Sequence, residues 1–137
     1  LEAGESTTTP ATKPATRPRP ESPLIALARR KLEAAEILDG QGCPAEAFGL
    51  QVAAELALIA DTAGHDAAPS FAAAPRWLHG ELLPAGAISA SQALLLSRAL
   101  AYVDAEDIPA DLIEDLRDDA AAMLDRAIAA QTPTRPW

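Results

Sequence analysis

The chain has 137 residues, 49% of them hydrophobic but only 4% aromatic, and a formal net charge of −9. That length allows one domain and a tail, and abundant Ala and Leu beside scarce Val, Ile and aromatics favours helices over strands. A surface this acidic repels a phosphate backbone, which argues against direct nucleic-acid binding, and no apolar run approaches the ~20 residues of a membrane span.

Residues 1–21, "LEAGESTTTPATKPATRPRPE", are rich in Pro and Thr. They carry too little apolar surface to offset chain entropy, which predicts a disordered linker of polyproline type. Lys13, Arg17 and Arg19 offset Glu2, Glu5 and Glu21 there, so the negative excess belongs to the rest of the chain. The chain opens on Leu with no signal-peptide pattern, which reads as a piece of a longer polypeptide or a processed product. Docking of the linker onto a proline-recognising domain is the alternative to a plain spacer.

A helical domain is predicted over residues 22–130. The first helix starts at Ser22 as N-cap with Pro23 in the first position, and Gly40 is its stop. Leu24, Leu27, Ala28, Ala35 and Leu38 form its apolar stripe, widened by Ile25 and Leu32. Arg29, Arg30, Glu33 and Glu36 face away. A second helix runs from Pro44 to Gly64 and is apolar almost all round, through Ala47, Phe48, Leu50, Val52, Ala53, Leu56, Leu58 and Ile59. Such a helix belongs at the centre of its domain, and with the first it makes an αα-hairpin.

Pro69, Pro75 and Pro84 break the next stretch into a loop and a short helix from about Pro75 to Leu83. The following helix opens on a capping box, Ser89 with Gln92, and continues to about Val103 through Ala93, Leu94, Leu96, Ala99 and Leu100. The last helix starts near Asp107 and ends near Ala130, with Leu112, Ile113, Leu116, Ala120, Met123, Leu124 and Ala127 inward. Asp111, Glu114, Asp115, Asp118 and Asp125 lie opposite, and residues 131–137 form a tail. No segment alternates with period two. The expected fold is all-α, an up-down bundle of four long helices and one short one.

Several residues invite a chemical role. His79, in "RWLHGE" near Arg76 and Glu81, would need an orienting partner to serve as a general base; its apolar neighbours favour an ordinary histidine at a helix end. His65 sits in a loop beside Asp66, and the two histidines share no metal-binding spacing. Asp104, Glu106, Asp107, Asp111, Glu114, Asp115, Asp118 and Asp119 suggest a metal, with Asp111 and Asp115 one turn apart. Carboxylate metal sites draw on several helices, however, so a solvated face or a contact surface for a basic partner is preferred.

Cys43 is the sole cysteine, at a helix start with no nearby His, and reads as a structural or incidental thiol in a reducing cytoplasm. No internal disulfide, phosphate loop or nucleophile elbow is available, so no cofactor, metal or catalytic residue is assigned. Trp77 and Phe48 are core candidates that would otherwise anchor a partner, and Trp137 is either a loose end or a docking tag. The residues assigned to partner contact are Asp111, Asp115, Asp118 and Trp77.

The run "LARRKLEAAEILDGQGCPAEAFGLQVAAELALIADTAG", followed by "LLPAGAISASQALLLSRALAYVD", resembles the HEPN-like helical domains over residues 24–130. A Lys-bearing first helix there pairs with an Ala-rich second, and a G-x-(I/L)-(S/T) turn leads into the next. Active members of that family are ribonucleases in which an Arg precedes a His by four to six residues on a late helix. Arg98 matches the Arg, but Asp104 and its neighbours stand where the His belongs and no His occurs after them. The resemblance therefore implies a member without nuclease chemistry, and one able to pair as a homodimer. "SPLIALARRKLEAAE" after a Pro-rich linker, with W-L-x-G-E-L-L-P from Trp77 to Pro84, is also similar to C-terminal segments of bacterial Swi/Snf-type helicase-like ATPases. The sequence thus suggests a non-catalytic accessory module of a larger bacterial protein, contacting a protein partner or a domain of its parent chain. The alternatives are a HEPN-type ribonuclease, a metal-dependent hydrolase built on the acidic helix, or a small-molecule-binding bundle with a cavity lined by Leu56, Trp77 and Leu96.

Overall fold

The computed structural model describes residues 22–131. The linker predicted for 1–21 and all but the first residue of the predicted tail lie outside the described residues. The fold is all-α, with α1 (Pro23–Gly40), α2 (Pro44–Thr62), α3 (Ala74–Trp77), α4 (Ala90–Tyr102) and α5 (Ala110–Gln131). A π-helical turn, Leu78–Leu82, continues α3 without a break. There is no strand among the described residues. None of their helices is long and apolar enough to cross a membrane.

Local chemistry sets the helix ends. Ser22 accepts a hydrogen bond from the Ile25 amide and Pro23 occupies the first turn, as the sequence predicts. α1 ends at Gly40, as the sequence predicts, and Gly42 completes the stop. At φ 80° Gly42 turns the chain left-handed, so that its own amide reaches the Asp39 carbonyl and the Cys43 amide reaches that of Leu38. These bonds satisfy carbonyls that the helix end would leave without partners. Gly64, at φ 82°, repeats the arrangement after α2, with His65 donating to Ala60.

Ser89 caps α4 by accepting from the Gln92 amide at 3.1 Å. The reciprocal half of the predicted capping box is absent, because the Gln92 side chain donates instead to the Met123 sulfur on α5. Ser89→Ala should therefore cost about 1 kcal/mol, measured by urea denaturation, since only the serine half of the box is made. The last helix starts at Ala110, three residues later than predicted. Pro109 holds Ile108 out of the helical region and so delays the start.

The core sits around α2. It packs most extensively on α1 and also meets α5 and α4, while α5 packs on α4 and α1. The contacts of α1 with α2 and of α4 with α5 show part of the expected up-down order. Phe48, Val52, Leu56, Leu58, Leu96, Leu112 and Leu116 are fully enclosed. Leu94, read as part of the α4 stripe, is 62% exposed. It lies one residue from Ala93 and two from Leu96, which turns it away from their shared face.

Candidate functional site

Two features of α2 went unnamed in the sequence. Gln51 and Glu55 stand one turn apart in the buried middle of this helix, 5% and 0% exposed. Neither Glu55 oxygen is met by a hydrogen-bond donor among the described residues, nor are Gln51 Oε1 and Asp119 Oδ2. Burial, and then the Asp119 carboxyl beside it, push Glu55 up to about 10, against the opposing pull of the Arg126 guanidinium. Glu55 is therefore protonated at neutral pH, and the acid donates its proton to Asp119. One shared proton serves an oxygen of each carboxyl and leaves Gln51 Oε1 without a donor among the described residues. Asp119 thus leaves the solvated acidic series to which the sequence assigned it. The signal was the four-residue spacing of two polar groups among the core positions of α2.

The grooves on the surface around α2 include two that α1 borders. One, about 690 Å³, has a floor of Ala45, Gly49 and Ala53, which recur every four residues along α2. Leu50, Leu38, Phe71 and Val103 line it with apolar atoms, and Lys31, Glu46, Asp104 and Glu106 also border it. Phe71 is 37% exposed and belongs to the loop before α3. Gly49 has no side chain, which lowers the floor, and a Cβ placed there meets nothing within 4 Å. The other groove, about 380 Å³, runs between α1 and α5 over Gln51.

The residues assigned to partner contact from sequence do not form one surface. Asp111, Asp115 and Asp118 are exposed on α5, with Asp111 lying 4.0 Å from Arg98. Trp77 is 8% exposed within the core, its ring edge-on to His65 at 5.5 Å. Arg98, the match to the nuclease Arg, is thereby an ion-pair partner on the outside of α4. His79 lies in the π turn and hydrogen-bonds the Ser97 hydroxyl on α4. A nucleophile–base pair requires a third group to orient the imidazole, and this one reads as a tie between the π turn and α4. No group of three or more His, Cys, Asp or Glu is placed to hold a metal among the described residues. Leu56, Trp77 and Leu96 are packed together in the core cluster and line neither groove. No family model, curated protein or solved structure matches this chain.

Proposed function

We propose that this domain is a non-catalytic interaction module, and that its α2 groove receives one helix of a basic protein partner. The observation behind this reading is the open apolar channel floored by Ala45, Gly49 and Ala53. Small residues every fourth position let a second helix approach closely, and Leu38, Leu50, Phe71 and Val103 offer apolar walls to its inward face. The rim sets the sign of the partner. Three carboxylates, of Glu46, Asp104 and Glu106, stand against the single ammonium of Lys31. Two copies of this rim would repel one another, whereas Lys or Arg flanking an apolar helix face would be drawn in. The exposed acids Asp111, Asp115 and Asp118 extend the same preference to α5. The HEPN-like kinship, the attachment to a helicase-like ATPase and a bacterial cytoplasmic setting belong to this proposal, since each would make the domain an accessory to a larger protein.

Gly49→Leu tests it. The added side chain meets open space, so the fold should hold, and replacing a mid-helix glycine should if anything stabilise it. An amphipathic helical peptide with a Leu/Ala face and Lys flanks should shift the NMR signals of Gly49, Ala53 and Val103 in the native domain, and not in the variant. Shifts from a Glu-flanked peptide of equal strength would defeat the charge argument. A dimer seen by light scattering and abolished by Gly49→Leu would replace the basic partner with a second copy of the chain.

A further inference from the structure

A third groove, of about 330 Å³, lies where the end of α5 meets the end of α2 and the turn before α4. Leu58, Ile59, Ile88 and Met123 give it an apolar floor, and Ala127 and Ala130 of α5 leave one wall low. It shares no residue with the α2 groove, so its occupation leaves the partner site open. The described residues end at Gln131, one position beyond the low wall. The sequence continues "TPTRPW", which brings one large apolar side chain, Trp137, within six residues of the groove's edge.

Reach, stiffness and chemistry match this segment to the groove. Six residues span at most about 20 Å, while the stretch of α5 from Met123 to Ala130 is only about 10 Å long. The segment is therefore long enough to turn back along the helix that it leaves. A proline at position 133 disfavours helix at Thr132 and directs the chain away from the α5 axis. Pro133 and Pro136 also fix their own φ in advance, which lowers the entropy lost on docking. A buried indole needs an acceptor for its N–H. Thr62, at the groove, donates its hydroxyl proton to the Leu58 carbonyl and keeps oxygen lone pairs that accept. The Met123 sulfur and the Arg126 guanidinium both favour contact with an aromatic ring. We propose that residues 132–137 fold back on their own domain and seat Trp137 in this groove, strapping the end of α5 to α2 and to the turn at Ile88.

The test compares the native chain with Trp137→Ala and Trp137→Phe by NMR, and neither substitution alters a residue of the helical domain. In the native chain the methyl signals of Ile88 and Met123 should carry ring-current shifts and show nuclear Overhauser contacts to the Trp137 indole. Both should be lost in Trp137→Ala and kept, at reduced size, in Trp137→Phe. The signals of Trp77, which lies outside the groove, should stay unmoved in all three. The proposal is overturned if Trp137→Ala leaves the Ile88 and Met123 signals in place, or if the indole contacts Gly49, Ala53 or Phe71 instead. It is also overturned if the contacts grow with protein concentration, which would assign them to the same segment of a second copy.

Discussion

Glu55→Gln is expected to stabilise the domain by about 3 kcal/mol at pH 7 and to change nothing near pH 4.5. The native glutamate is held protonated by its enclosure and by Asp119, up to about pH 10, against 4.5 for an ordinary glutamate. Between those values the folded chain binds one proton more than the unfolded chain. Folding therefore weakens as pH rises, by about 1.4 kcal/mol per unit, with the effect fully present below 4.5 and lost by about 10. Glutamine keeps the size and a donor for Asp119 but carries no titrating proton, so its advantage should grow with pH. Urea denaturation of both proteins at pH 4.5, 7 and 9 gives the comparison. The difference between the two curves separates Glu55 from the general relief of repulsion in an acidic protein on acidification. Parallel curves would mean that the Glu55 carboxylate is ionised in place.

Trp77→Ala should cost about 3–5 kcal/mol, because the indole is the largest side chain holding α3 to the bundle. The α-helical part of α3 has only four residues, from Ala74 to Trp77, and a helix that short has no stability of its own. Its position depends on packing. Trp77, Leu78 and Leu82 face inward together, and His65 from the preceding loop abuts the indole. Truncation leaves a cavity and also loosens the connection between α2 and α4. Denaturation should show the loss, and amide exchange should show reduced protection at Leu78 and Leu82 before α2 is affected. A loss below about 1 kcal/mol would contradict a core role and return Trp77 to the candidates for partner contact.

The features legible in the sequence were local or periodic. Ser22, Pro23 and Pro44 mark helix starts through their own hydrogen-bonding chemistry, and the apolar content of α2 places it centrally. Gly40 marks where α1 ends, but the part of Gly42 in the stop shows only in its left-handed backbone. The α2 groove was illegible because Phe71 and Val103 reach it from loops and helix ends distant in sequence. The Glu55–Asp119 pair was partly legible. Gln51 and Glu55 interrupt an apolar helix at helical spacing, but the partner lies 64 residues beyond Glu55 on a face that sequence alone reads as solvated.

The π-helical turn after α3 has a consequence for chain length. A π turn holds one residue more than an α turn, as the Leu83 amide bonding back to Leu78 shows. Removing Gly80 would restore the ordinary pitch and place the two inward leucines three apart instead of four, still on one side of a helix. Single-residue deletion is thus accommodated between Leu78 and Leu82. The same loss in α2, a regular helix with no surplus residue, would turn everything after it by about 100° and carry Glu55 away from Asp119. Length variation in proteins of this design therefore belongs at the π turn, while the spacing within α2 stays fixed.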